Sequence, residues 1–272
     1  MTRRGFTLVE LLVTLTVLAI MGTALTRILI NQSHYVGQQE GLMEARQIAR
    51  QAMNLITTEL QMVSDGGVIA VSADSITVRV PYAFGMLCRS SGSKRTAALM
   101  PADSVAWANA VVGGVAWRTG TTYTFGSGIS VATSTDTAEC TADSIRAQSG
   151  GRLVSLTPAN VTSAASSGDI MYLYEKVTYK FASSAALSGR RALWRTSGGV
   201  SEELLAPFAD SARFAYLTGS RLSVTTTVPA SVDSLRGLEL RLIAESVSTP
   251  SGRTTPMEYD LRPRVRFGNY AY

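Results

Sequence analysis

The sequence predicts an α+β protein, in which a long N-terminal helix, membrane-spanning in its first half, forms a spine packed on an antiparallel β-sheet head. Three observations carry this expectation. An uninterrupted apolar run opens the chain, and a mixed stretch with helical spacing and no proline continues it. From residue 66 onward, short alternating runs punctuated by glycine pairs replace the helical pattern, without αβ alternation. The expected organisation is a leader over 1–5, a transmembrane helix over 6–30, an amphipathic continuation over 31–65 and an exported β-rich head over 66–272, with an insertion around 89–168.

Composition fits an exported β protein. The chain has 272 residues, of which only 17% are charged, and it is rich in Ser, Thr, Ala and Gly. The net charge of +5 is too small to predict a nucleic-acid partner.

The N-terminus is the most informative segment. Between Phe6 and Ile30 only Glu10 and Arg27 are charged, and a bilayer core needs about 20 apolar residues in a helix. Arg3 and Arg4 on the N-terminal flank keep that end in the cytoplasm, which puts the rest of the chain outside the inner membrane. A secretory signal peptide needs a small-residue cleavage site after the apolar run, whereas this chain continues Leu25-Thr26-Arg27-Ile28-Leu29-Ile30. A plain signal anchor explains the apolar run and leaves Glu10 without a reason. A carboxylate inside such a segment costs about 2.5–3.5 kcal/mol on insertion scales, so it marks a functional site.

Gly5-Phe6-Thr7-Leu8-Val9-Glu10, behind Arg3-Arg4, closely resembles the processing site of type IV prepilins, including the pseudopilins of type II secretion. The resemblance implies that a prepilin peptidase cuts between Gly5 and Phe6 on the cytoplasmic side and that Phe6 is then N-methylated. It implies that Glu10 is the assembly carboxylate, pairing with the Phe6 amine of a neighbouring subunit in the filament. The partners so implied are other pilin or pseudopilin subunits, met through the N-terminal helix, the peptidase and the lipids of the inner membrane. The protein would be a single-pass inner-membrane protein with a cytoplasmic N-terminus and a periplasmic head, and would then enter a pilus or pseudopilus filament.

Beyond Ile30, Tyr35, Leu42, Ile48, Ala52, Leu55, Ile56, Leu60 and Val63 recur at helical spacing, and Asp65-Gly66-Gly67 ends the pattern. A helix from Phe6 to Ser64 is about 90 Å long. Gly22, Gly37 and Gly41 are its weak points, each costing about 1 kcal/mol relative to Ala. His34, the one histidine in the sequence, is expected to be interfacial or solvated rather than a metal ligand.

In the head, strands are expected at 68–71, 75–80, 113–118, 121–125, 151–155, 169–174, 176–181, 191–196, 213–217, 237–244 and 255–265. Residues 89–110 and 126–168 lack hydrophobic periodicity and read as loops or insertions. Val177–Phe181, Leu193-Trp194-Arg195, Leu204–Phe208, Phe214-Ala215-Tyr216 and Leu235–Leu242 resemble the C-terminal sheet of PilW-type minor pilins and of the J-type pseudopilin of type II secretion. That resemblance implies a short helix or turn at Leu204–Phe208. Cys88 and Cys140, in an oxidising compartment, are expected to pair, the alternative being two free thiols. Pairing closes a loop of about 53 residues, worth roughly 4 kcal/mol in the chain-entropy view.

No catalytic site is expected. The head lacks a histidine for Ser-His-Asp or Cys-His chemistry, no phosphate-binding loop is present and the aspartates do not space as a calcium loop. Arg253, Arg262, Arg264 and Arg266 read as a solvated strand face. The chain is therefore expected to be a structural subunit without enzyme activity, cofactor, metal or small-molecule substrate. It would be a minor pilin that primes or joins a type IV pilus, with a type II secretion pseudopilin as the alternative and an adhesin or DNA-capture pilus subunit as the second.

Overall fold

A computed structural model describes residues 8–219 and 221–267. It opens with one 55-residue helix, α1, Leu8–Met62. There follow β1 Val68–Ser72, β2 Ser75–Ser91, β3 Lys94–Leu99, α2 Pro101–Asn109, β4 Gly114–Thr119, β5 Thr122–Ser127, β6 Ser130–Ser134, α3 Ala138–Ala142 and β7 Arg152–Thr157. The remainder is β8 Ile170–Ser183, β9 Arg191–Ser197, β10 Val200–Phe208, β11 Arg213–Thr218, β12 Ser223–Thr225, β13 Leu235–Glu245, β14 Glu258–Leu261 and β15 Arg264–Arg266. The strands form one antiparallel sheet in the order β12-β11-β13-β10-β9-β8-β2-β3-β7-β6, with β1, β4, β5, β14 and β15 branching from it. This is the expected α+β layout of a long apolar helix on an antiparallel sheet.

The helix stops where glycine is required. Gly66 adopts φ +72°, the left-handed region that favours glycine. Gly67 donates its amide to the Ser64 carbonyl at 2.8 Å, and a Cβ there would lie 2.7 Å from that oxygen. Upstream, α1 buries one stripe, Gly41, Ala45, Ile48, Ala49, Ala52, Ile56 and Leu60, spaced three and four residues apart. Its small residues bring the helix backbone close to the head. A Cβ on Gly41 would already meet Met257 Cγ at 3.1 Å and Pro250 Cγ and Ser246 Cβ at 3.3 Å. Ile48, Ile56 and Leu60 project into a core made with Ile76, Val78, Tyr179, Phe181, Phe214, Leu240 and Leu242.

A second core lies higher in the head, around Leu87, Leu99, Val115, Trp117, Leu156 and Leu173. The pair β2–β8 runs through both cores, from Ser75↔Lys180 to Met86↔Ile170. Its register slips by one residue at Tyr82, between Pro81↔Tyr174 and Ala83↔Leu173. The extra residue moves the residues of β2 that face the two cores from Ile76, Val78 and Val80 to Ala83 and Leu87, while β8 faces them with Val177, Tyr179 and Phe181 and then Met171 and Leu173, odd-numbered in both. The expected strand at 75–80 ended where this bulge breaks the alternation. The two runs at 169–174 and 176–181 are one strand for the same reason: Glu175 sits in an unbroken ladder opposite Val80.

The structure corrects the loop reading of 89–110 and 126–168, which hold β3, α2, β6 and α3, besides β7 where a strand was expected at 151–155. These strands are built of small residues held by backbone pairing. Ala97 lies opposite Leu87 on one side and Val154 on the other, and Thr133 lies opposite Val154. Leu204–Phe208 is not a helix or turn but the end of β10. The β9–β10 register shifts around Leu205 and again before Phe208, and this irregular stretch accommodates Pro207, which has no amide to donate. The expected strand at 255–265 is interrupted at Pro263, whose carbonyl accepts from Leu240, leaving β14 and β15 as separate partners of β13. Cys88 on β2 and Cys140 in α3 form a buried disulfide, with Cα atoms 4.8 Å apart.

Three outcomes follow for stability. Gly41→Leu should lower the unfolding free energy of the full chain by about 1–3 kcal/mol through overpacking. Gly37→Ala, whose Cβ meets nothing nearer than 3.9 Å, should raise it by about 0.5–1 kcal/mol; denaturant titration in detergent measures both. Cys88→Ala/Cys140→Ala should cost about 4 kcal/mol. Limited proteolysis should then cut first within 89–168, with α1 and β13 still protected.

Candidate functional site

The first half of α1 is the candidate site, because its side chains have no role in the head. Leu8, Leu12, Leu15, Leu18, Ile20 and Leu29 are all more than half exposed. This part of the helix is long and apolar enough to cross a membrane, and none of its most apolar window is buried. Its hydroxyls suit hydrocarbon. Thr14 and Thr16 donate to the carbonyls of Leu11 and Val13 at 2.9 and 2.8 Å, and Thr23 and Thr26 to those of Ile20 and Gly22 at 2.8 Å. Each proton is bonded inside the helix, so these four residues enter an apolar phase without orphaned donors.

Glu10 lies in the first turn of α1, on its exposed surface. The positive end of the helix dipole favours a carboxylate there. Arg3, Arg4, Gly5 and Phe6 lie outside the described residues. Arg27 is exposed near the other end of the apolar run, where its long stem can carry the charge to the headgroups.

A polar collar fixes the C-terminal end of this helix on the sheet. Tyr179 Oη donates to Glu59 Oε2 at 2.6 Å. Arg195 spans two carboxylates, with Nη2 3.1 Å from Glu59 Oε1 and 3.1 Å from Glu175 Oε2. Glu175 also accepts from Ser197 Oγ and from the Val111 amide, each at 3.1 Å. Burial, reinforced by the Glu59 charge, pushes the Tyr179 hydroxyl well above the ordinary tyrosine range, so it stays a donor. Burial opposes the Arg195 charge, but Glu59 and Glu175 outweigh it and hold the guanidinium above its usual value. Lower on the helix, Glu44 accepts from the Val247 amide at 3.1 Å and Arg46 lies 5.4 Å from the Tyr259 ring centre. His34 sits against the turn at Gly252, where a Cβ would approach its Nδ1 to 2.9 Å.

Sequence reasoning did not single out Glu59, Tyr179, Arg195 or Glu175 as a group. The available signal was a carboxylate beside the buried Ile56 and Leu60, which needs a partner from the sheet. Cys88 and Cys140 form a small buried cluster with Ala98 and Leu153 and lie apart from the collar. No group of three or more His, Cys, Asp or Glu side chains suited to a metal occurs among the described residues.

Arg195→Met should cost about 2 kcal/mol, because it leaves two partly buried carboxylates without a cation. Arg195→Lys should recover part of the loss, since a point charge cannot span both groups as the planar guanidinium does. Denaturant midpoints of the three proteins test this.

With this geometry in place, comparison with known proteins is informative at one end of the chain. Residues 1–26 match the prokaryotic N-terminal methylation motif. No curated protein and no solved structure matches. The motif and the exposed apolar helix together support a type IV pilin or pseudopilin subunit: a structural protein anchored at the inner membrane, processed by a prepilin peptidase and assembled with other pilins.

Proposed function

We propose that the chain is a minor pilin of the PilW type, which joins or primes a type IV pilus after the peptidase cuts between Gly5 and Phe6. Phe6 then becomes the N-methylated terminus, and Glu10 pairs with the corresponding amine of a neighbouring subunit. The observation that carries this reading is the division of α1. One continuous helix has a C-terminal half covered by the sheet and an apolar N-terminal half that covers nothing in the head. Such a surface needs lipid around the isolated subunit and other helices in a filament. Within lipid, Glu10 bears a penalty of about 2.5–3.5 kcal/mol that an opposite charge relieves. A single carboxylate thus favours assembly over solitude and fixes axial register at once. The PilW assignment rests on the succession of β8, β9, β11 and β13 with their alternating apolar residues. A periplasmic head suits the Cys88–Cys140 disulfide.

Intact mass and N-terminal peptides of membrane-extracted protein, with and without prepilin peptidase, test the cut. A methylated Phe6 terminus should appear with the peptidase alone, and an intact Met1 or a cut beyond Ala24 would defeat the proposal. Glu10→Val should be cleaved normally yet enter sheared filaments at least tenfold less. Wild-type incorporation of that variant would remove the role given to Glu10.

A further inference from the structure

The upper lobe contains a cleft of about 430 Å³ that plays no part in the filament reading. It opens between the β2–β3 turn and the segment 159–167, and Arg95 forms part of its wall. Arg95 is buried, with 4% of its surface exposed. Its Nε donates to the Cys88 carbonyl at 2.9 Å, and its Nη1 to those of Thr162 and Ala165 at 2.7 and 2.8 Å. Nη2 makes none of these bonds, and Arg95 lines the cleft.

Among the described residues no carboxylate forms a salt bridge with Arg95, and Asp169 and Asp143 act on it only from beyond contact. Asp143 is taken by Arg89, which binds it through Nη2 at 2.7 Å, Nε at 3.0 Å and its backbone amide at 2.8 Å. Asp169 accepts from the Ser166 amide at 2.7 Å. Burial accordingly pulls the Arg95 guanidinium below its usual value, against the distant attraction of Asp169 and Asp143. Three carbonyl dipoles are a poor substitute for a counter-ion, and a neutral donor would bond them at less cost. The arrangement makes sense if the counter-ion arrives with a ligand.

The rest of the lining says what the ligand is. Arg89, its charge held by Asp143, also lines the cleft; Ser90, Asn160, Ser163 and Ser167 provide hydroxyls and an amide, and the apolar lining residues are no larger than alanine. There is no anchor pocket for an apolar peptide side chain, and β3 beneath is already paired on both sides with β2 and β7, so no strand edge is offered. One guanidinium without a salt-bridge partner suits a monoanion. A dianion such as phosphate would add an excess negative charge beside Asp143 and Asp169.

We propose that this cleft binds a carboxylate-bearing sugar, a uronic acid unit of an acidic glycan. Arg95 Nη2 receives the carboxylate, and Ser90, Asn160 and Ser163 hydrogen-bond the ring hydroxyls. The disulfide supports the site indirectly, because Cys88, whose carbonyl orients Arg95, is bonded to Cys140.

Saturation-transfer NMR on the full-length protein in detergent, titrated with glucuronate, glucose, inorganic phosphate and a glutamate-containing tripeptide, tests the proposal. Glucuronate should bind saturably, at least tenfold more tightly than glucose. Asn160→Ala/Ser163→Val, at the exposed rim, should weaken glucuronate at least fivefold without moving the unfolding midpoint. Arg95→Lys should weaken it at least tenfold, and the rim variant carries the test if that protein fails to fold. Equal binding of glucose, tighter binding of phosphate or tripeptide, or glucuronate binding unchanged in the rim variant would each overturn it.

Discussion

The close approach of α1 to β13 and β14 is the constraint on which the head is built. Gly41, Ala45, Ala49 and Ala52 present almost no side chain, so the sheet can lie against the helix backbone. Ile48, Ile56 and Leu60, on the same stripe, then reach a core drawn from β2, β8, β11 and β13. Close-packed contacts of this kind tolerate little change in volume, which makes the stripe intolerant of larger residues. The collar of Glu59, Tyr179, Arg195 and Glu175 adds direction to this non-directional contact, fixing how the helix is rotated on the sheet. None of these residues is drawn from the apolar half, which remains free to meet lipid or other helices.

The upper lobe depends on the lower one through two long strands. β2 and β8 belong to both cores, and the bulge at Tyr82 keeps the buried residues of β2 on one face as the strand passes from one core to the other. The upper core is smaller: β3 brings Ala97 and Leu99 to it, and the edge strand β6 only the partly buried Val131 among serine, alanine and threonine. A lobe with so little to bury benefits from cross-links. Cys88–Cys140 and the neighbouring Arg89–Asp143 pair tie α3 to β2 at successive positions, and the two bonds of Arg95 to the Thr162 and Ala165 carbonyls tie down the segment before β8.

Much of this was legible in the residues. The apolar run, the helical spacing to Leu60 and the stop at Asp65-Gly66-Gly67 are local features that tertiary contacts do not override. Strands with large alternating side chains, such as Val177–Phe181 and Leu238–Leu242, were equally plain. What escaped were elements defined by their neighbours. Lys94–Leu99 is buried almost throughout because it lies between two other strands, so it shows no alternation. Val200–Phe208 carries two glutamates and a proline, yet pairs with β9 through a broken register. The bulge at Tyr82 inverts the period on which strand recognition rests. The collar and the Arg95 cleft join residues 59 with 195 and 95 with 162, separations across which sequence spacing gives no geometry. At the N-terminus, by contrast, Gly5, Phe6 and Glu10 are linear neighbours, and the match over residues 1–26 rests on that adjacency.

The continuity of α1 has a consequence for angular phase. A helix advances about 100° and 1.5 Å per residue. No proline or break separates Leu8 from Met62, so the azimuth of the apolar half dictates the azimuth of the head. One residue inserted between Ile30 and Gly41 would swing the Arg95 cleft and the Cys88–Cys140 lobe by about 100° around the helix axis, while raising them only about 1.5 Å. Seven inserted residues, close to two full turns, would restore the original facing at a greater height. The spacer between membrane and head is thus constrained less in its composition than in its length, counted in whole turns.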